Sequence, residues 1–269
     1  HIHPRDRRQR QMCIRDSNTF PDSVELKLDG KPLVPGKDFM ISPQSSGLKG
    51  TYNVLKVDLN NWSSISKNNK VNHPLIVSLN VSKIIDRDTI SMYKELRNIL
   101  NKSFPVLWIS SEKLQWSVAD YVSNFPMIKI ASKSVNYDFS RVQLNIEHKF
   151  QKELKTQNVV GTVSGRRKKA IIISAHYDHL GMMGQVKFPG ANDNASGVSL
   201  LLNLASYYSE NPHKYNIIFI CFGAEEAGLK GSKYFTEHPL LDLKKVSFLI
   251  NLDIVGTGEE GIAIVNALE

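Results

Sequence analysis

In the second half of this chain, uninterrupted apolar runs alternate with helical stripes, and that alternation restricts the fold more than any other feature. The runs are VQLNIEHKF, NVVGTV, AIIISAHYD, NIIFICFG, VSFLINLDIVG and GIAIVN, between residues 142 and 266. Among them Val198, Leu201, Leu202, Ala205 and Tyr208 fall on one helical face, and Leu229, Tyr234 and Phe235 on a shorter one. A strand that is apolar along its whole length is covered on both faces. Residues 141–269 are therefore expected to form an α/β domain, a mixed, largely parallel sheet sandwiched by helices. In such sheets the reactive groups collect just past the carboxyl ends of strands.

Residues 18–140 follow a different grammar. VELKLDGKPLVPG alternates apolar and polar residues and breaks at Gly30 and at Pro35-Gly36, a hairpin signature. Apolar runs at 75–82 and 105–109 predict further strands. Between them Ile90, Tyr93, Leu96, Ile99 and Leu100 sit at helical spacing, with Asp88 or Thr89 available as a cap. No cluster of His, Cys or carboxylates stands out, and Trp62, Trp108 and Trp116 read as core residues rather than ligand platforms. This half is expected to be a small strand-rich α+β accessory domain.

Composition narrows the class. A chain 41% hydrophobic and 22% charged is neither disordered nor collagen-like. No apolar run approaches the ~18–20 residues of a membrane-spanning helix. The net charge of +8 is diluted. Residues 1–17 hold five Arg against two Asp, and residues 141–269 are almost balanced, with fourteen basic and thirteen acidic side chains. Arg166-Arg167-Lys168-Lys169 reads as a solvated hairpin turn, so a nucleic-acid partner is disfavoured. HIHPRDRRQRQMCIRDS has no apolar period and is expected to be a non-native, disordered tail at residues 1–17. Cys221, inside NIIFICFG, reads as a reduced core thiol.

Four strand ends carry the chemistry. In AIIISAHYDHLG, His176 and Asp178 lie two apart and emerge on the same side, whereas His179 points the other way with no obvious task. A carboxylate that holds the second ring nitrogen of a His makes it a better zinc ligand, although H-x-D alone better suits a satisfied structural His. In GANDNASG, small residues allow a tight turn into a helix and present Asp193 at its mouth, as N-cap or as metal ligand. In FGAEEAGLKGS, the adjacent Glu225 and Glu226 cannot aim at one point, so one could bind metal while the other faces a water; a solvated helix start is the alternative. In LINLDIVG, Asp253 is the only charge, a costly placement unless it is paired or metal-bound.

Taken together, AHYDHLG, GANDNASG, FGAEEAGLKGS and NLDIVG resemble the four metal-site motifs of co-catalytic zinc aminopeptidases, the aminopeptidase S, aminopeptidase Y and bacterial leucyl aminopeptidase kind, related to glutamate carboxypeptidase. The resemblance covers roughly residues 140–269. It implies a zinc exopeptidase fold with an eight-stranded mixed sheet and two zinc ions. His176 would bind one zinc, Asp193 would bridge both, Glu226 would complete the first and Asp253 would bind the second. Glu225 would be the general base and Asp178 would orient His176. A cis peptide is implied at Asp193–Asn194. The family's second zinc takes a final His from far downstream, and the sixteen residues after Asp253 contain none. The chain is accordingly expected to be a C-terminally truncated domain holding one zinc well and the other poorly. Residues 18–140 resemble the protease-associated accessory module of such enzymes.

The expected reaction is hydrolysis of the first peptide bond of peptides. Mixed imidazole and carboxylate donors suit zinc, a bridging carboxylate can hold two metals, and Glu225 would carry the proton from water to the leaving amine. A carboxypeptidase or glutaminyl-cyclase-like member of the same fold is the first alternative, and a non-catalytic interaction domain the second. No G-x-G-x-x-G or P-loop pattern follows any strand, which disfavours a nucleotide site. The family implies a secreted, periplasmic or cell-envelope location. The oligomeric state is left open.

Overall fold

The computed structural model describes residues 9–65, 74–211, 213–258, 261 and 263–265. In chain order its elements are β1 (Gln9–Thr19), β2 (Val24–Leu28), β3 (Lys31–Leu33), β4 (Phe39–Ile41), β5 (Leu48–Lys56), α1 (Trp62–Ile65), β6 (Leu75–Asn80), α2 (Arg87–Leu100), β7 (Val106–Ser110) and β8 (Met127–Ala131). There follow β9 (Arg141–Ile146), β10 (Lys149–Val163), β11 (Ala170–His176), β12 (Gly181–Met183), β13 (Val186–Phe188), α3 (Gly197–Glu210), β14 (Asn216–Phe222), α4 (Lys230–Glu237) and β15 (Val246–Asn251). They divide into two units. One is Asp16–Lys152 with Gly181–Phe188, and the other is His1–Arg15, Glu153–Leu180 and Pro189–Glu269.

This division departs from a boundary at 140/141. β9, expected in the α/β domain, pairs antiparallel with β2 and β5. Its alternation explains the difference: Val142, Leu144 and Ile146 are buried while Arg141 and Gln143 are exposed, the pattern of an antiparallel strand with one covered face. The expected tail also joins the fold, because residues 9–17 make up most of β1, the edge strand beside β10. Edge pairing uses backbone groups and needs no apolar period. The Gln11 side chain adds to it by bonding the His238 carbonyl and the Asn158 amide.

The first unit is an eight-stranded sheet in the order β3-β2-β9-β5-β6-β7-β8-β4. Strands β5, β6, β7 and β8 run parallel to one another, a more α/β-like centre than an α+β reading predicts. The β2–β3 hairpin turns at Asp29 and Gly30, both at positive φ, as a two-residue hairpin loop requires. The expected helix is α2, but its cap is Asp86, whose carboxylate accepts the Thr89 N–H at 2.8 Å. Tyr93, Leu96 and Leu100 pack with Val77, Leu79 and Trp108, whereas Ile99 is exposed. The β12–β13 hairpin belongs to this unit, with Met183 wholly buried in a core that includes Phe20 and Phe39.

The second unit is a five-stranded mixed sheet in the order β1-β10-β14-β11-β15, with β14 antiparallel to β10 and parallel to β11, and β15 parallel to β11. Helices pack on both faces of the inner strands, whereas β15, expected to be a covered apolar strand, is exposed at Phe248, Leu249 and Ile250. Phe235 of α4 packs with Val160, Ile172, Ile218 and Ile220, and Leu201 of α3 packs with Ile173, Ala175, Ile217 and Phe219. On α3 the inward stripe uses Leu204 where Leu202 was expected; Leu202 is exposed. Leu229 precedes α4 in a left-handed conformation, also exposed. Arg166–Lys169 are exposed as expected but do not form a hairpin turn, because β14 lies between β10 and β11. The run at 261–266 forms no strand over its described residues, 261 and 263–265; the others lie outside them.

Candidate metal centre

His176 closes β11, buried to 4% exposure. Its Nδ1 is 3.1 Å from the backbone carbonyl of Asp178 and 3.9 Å from that residue's carboxylate. It is thus the main chain of Asp178, and not its carboxylate, that lies within hydrogen-bond distance of the ring. A proton held on Nδ1 by that carbonyl leaves the Nε2 lone pair facing the site. Nε2 lies 3.1 Å from Asp193 Oδ1 and 3.5 Å from Asp253 Oδ1.

Asp193 sits in the kinked turn Ala191–Ser196 that leads into α3, and its peptide bond to Asn194 is cis. The two readings of GANDNASG are divided between neighbours. Asn194 does the capping, accepting the Gly197 N–H at 3.1 Å, and Asp193 is left to face His176. Asn194 is buried and also grips both sides of Asp253, donating to the Leu252 carbonyl at 2.9 Å and accepting from the Ile254 N–H at 3.3 Å. Asn192 accepts the Gly256 N–H and Ser196 Oγ accepts the Val255 N–H, so the turn and the loop after β15 are laced together. A Cβ on Gly197 would stand 2.3 Å from Asn194 Oδ1 and 2.5 Å from the Leu252 carbonyl, so only glycine fits there. Sequence reading singled out Asp193 and Asp253 but not this lacing; the amides are short polar residues in a turn and look like ordinary caps.

Glu225 and Glu226 follow β14 through Gly223 and Ala224, the latter buried at φ 57. The Asp178 carboxylate accepts the N–H of Glu225 at 2.9 Å and of Glu226 at 3.3 Å. Burial pushes the Glu225 carboxyl up. The nearby His176 opposes that shift, and Glu226, Asp178 and Asp253 add to it. Glu226 is pushed up by burial and then by the charge of Asp193, against the imidazoles of His179 and His176.

Two donor groups emerge, His176–Asp193–Asp253 and His179–Asp193–Glu226, each with one atom per residue within 4.8 Å of the others. Asp193 is common to both, the place of a bridge. The pairing differs from that implied by the resemblance, since His176 groups with Asp253 and not with Glu226. His179 is the residue that sequence reading set aside. Instead of pointing away, it reaches Glu226, with Nδ1 2.8 Å from Oε1. Both atoms are sealed from solvent, and the imidazole acts on the Glu226 carboxyl as a charge and as a hydrogen-bond partner. Nitrogen and carboxylate oxygen are zinc's ordinary donors, so the residues present fit a zinc pair.

A cavity of about 550 Å³ opens beside this cluster. His176, Glu225 and Asp253 reach it, and Phe222, Leu229, Phe235 and Leu249 form apolar parts of its wall.

An α/β sheet with carboxylates and imidazoles gathered at its strand ends is an arrangement that could hold metal. Residues 158–268 match the model of Peptidase family M28. Among curated relatives, the aminopeptidase YwaD of Bacillus subtilis is 38% identical over 109 residues, 39% of this chain and 23% of that protein. A probable leucine aminopeptidase of Trichophyton verrucosum is 30% identical over 146 residues, 48% of this chain and 38% of its own length. The structure of BSAP, a zinc aminopeptidase from Bacillus subtilis, superposes with a TM-score of 0.61 at 21% identity, covering 94% of this chain and 60% of that one, a likeness of fold. The chain spans between about a quarter and two fifths of the length of these curated relatives.

Proposed function

We propose that this domain belongs to a zinc-dependent aminopeptidase that hydrolyses the N-terminal peptide bond of peptides, with Glu225 as general base. The observation that carries the reading is the convergence of two donor groups on the shared Asp193, with Glu225 beside them at the mouth of an apolar cavity. Zinc held by His176, Asp193 and Asp253, and by Asp193 and Glu226, would supply a polarised carbonyl and an acidified water. Glu225 takes the proton of the attacking water and delivers it to the leaving amine. Burial raises the proton affinity of the metal-free Glu225 carboxyl, which makes it a stronger base than a solvated carboxylate. Asp178 fixes both glutamates by their backbone amides, so Glu225 approaches from a constant direction. The apolar wall of Phe222, Phe235 and Leu249 suits a leucine-like side chain next to the reacting bond.

The first unit is proposed as a protease-associated accessory module, and the location as outside the cytoplasm. No helix among the described residues is long and apolar enough to cross a membrane.

Hydrolysis of a leucyl-anilide by the full-length protein, with EDTA and zinc add-back, tests the reading. Activity that EDTA abolishes, zinc restores and Glu225→Gln removes is the expected result. A folded, zinc-loaded protein without activity on free-amine substrates overturns it.

A further inference from the structure

The first unit has a cavity of its own, at the carboxyl ends of its parallel strands. Lys56 ends β5, Ser78 and Asn80 lie at the end of β6 and Ile109 at that of β7, and all four line one space of about 300 Å³. In open sheets of parallel strands, ligands settle in the crevice outside those ends. The volume stands at the lower limit of the ~300–1,000 Å³ of small-molecule pockets. We propose that this cavity binds a free α-amino acid with an apolar side chain, its carboxylate on Lys56 and its ammonium on Asp138. None of these residues is a metal donor, and binding there is independent of the zinc reading. One consequence does rest on that reading: such amino acids are what the proposed peptidase releases, so the ligand of the first unit would be a product of the second.

β6 makes the space. Side chains alternate along its sequence LIVSLN, so Ile76, Ser78 and Asn80 share one face. Ile76 belongs to the apolar core, and two residues further on the small Ser78 leaves room where a larger side chain would fill the cavity. Ser78 is only 5% exposed, and beside it the buried Val57, Ile109 and Phe139 give the cavity an apolar floor that suits an aliphatic side chain. The charges stand at the mouth. Lys56 Nζ pairs with Asp138 Oδ1, and the two side chains are 54% and 85% exposed. An exposed pair of this kind contributes little to the fold and opens at little cost. A zwitterion brings one charge of each sign, so it can enter between the two and leave neither without a partner. The other carboxylate in the wall is already committed. Asp58 accepts the N–H groups of Asn60 and Asn61 at 2.8 and 2.9 Å, closing the turn that follows β5. Asp138 is the carboxylate left for an amine. A neutral sugar would leave the pair closed and turn hydroxyls onto the apolar floor, a costly burial of polar groups.

Calorimetric titration of the metal-free 269-residue chain with L-leucine tests the site. Saturable binding is expected. It should weaken by about tenfold or more for L-leucinamide, which lacks the carboxylate, and for N-acetyl-L-leucine, which lacks the ammonium, since each leaves one charge of the pair without its partner. Asp138→Asn and Lys56→Met change exposed positions, so both should keep the fold by circular dichroism while losing about tenfold or more in leucine affinity. Glu225→Gln should bind leucine as wild type does. Capped leucines that bind as well as leucine overturn the assignment of the two charges, and D-glucose that binds where leucine does not overturns the ligand class. Leucine affinity insensitive to both mouth variants, or lost in Glu225→Gln, puts the ligand elsewhere and overturns the site. An absence of saturable binding at tens of millimolar leucine also overturns the proposal. These titrations contain no zinc and measure no hydrolysis, so their failure leaves the aminopeptidase reading to its own test.

Discussion

The carboxylate of Asp178 accepts the backbone N–H of Glu225 at 2.9 Å, joining the loop after β11 to the turn after β14. Its second oxygen takes the N–H of Glu226 at 3.3 Å, so one side chain spans two adjacent amides. Asp178→Asn turns one of those acceptors into a donor facing an N–H. Loss of about 1–3 kcal/mol of stability is expected, the range for hydrogen bonds to a charged group and for a polar group left unpaired. Urea unfolding of the metal-free chain measures it. A change within a few tenths of a kcal/mol would mean that the two turns are held by other contacts.

Asn194 predicts a larger coupled effect. Asn194→Ala removes the bonds to Leu252, Ile254 and Gly197 in one step. The fold should lose about 2–3 kcal/mol. Zinc binding at the His176–Asp193–Asp253 group should weaken too, although Asn194 is not one of its donors. Calorimetric titration of the variant beside wild type separates the two effects. Unchanged zinc affinity in a destabilised protein would show that Asp253 is positioned without the lacing.

Glu225→Gln should leave both fold and metal content unchanged, because Glu225 belongs to neither donor group. Turnover of a leucyl-anilide by the full-length protein should fall by about a hundred- to ten-thousand-fold, the usual contribution of a positioned base. A variant that retains a tenth of the wild-type rate would assign the base elsewhere.

The raised carboxyls set the sign of a pH effect. Glu225 and Glu226 hold their protons more tightly in the folded, metal-free chain than at their ordinary value of 4.5. Folding then binds protons, so their contribution to stability is fully present below 4.5 and is lost as pH rises through the folded values. Thermal midpoints of the metal-free chain should therefore fall over the range above 4.5, and Glu226→Gln should flatten that fall. Zinc should reverse the trend, because its ligands must be deprotonated and its affinity grows with pH. A variant with the same slope as wild type would count against the assignment to Glu226.

The strand ends were legible because each is a charge set against an apolar run, an expensive juxtaposition that sequence displays openly. His176, Asp193, Glu225, Glu226 and Asp253 stood out for that reason, and the structure brings them together. The pairing within the cluster was not legible. Whether His176 faces Asp253 or Glu226 depends on β11 lying between β14 and β15, a fact of sheet order that no local pattern encodes. His179 was misread because alternation along a strand was carried past the end of β11, where the chain is already a loop and alternation no longer applies. The placement of β9 failed for a related reason. VQLNIEHKF is apolar enough to suit either unit, and only its one-sided burial assigns it to the antiparallel sheet.

Between His179 and Asp193 the chain makes an excursion. The hairpin Gly181–Phe188 is packed in the first unit, with Met183 in that unit's core, and the chain then returns at Pro189. Counting the transitions within β1 and β10, the backbone passes from one unit to the other four times. The two units are therefore not successive segments of the chain. No single cut frees either of them, and a recombination event that exchanged the first unit for another would have to carry the hairpin with it or leave Met183 without its core. The candidate metal donors and the first unit are in this sense joined along the chain, for the loop that carries His176 and His179 continues into the hairpin packed in that unit.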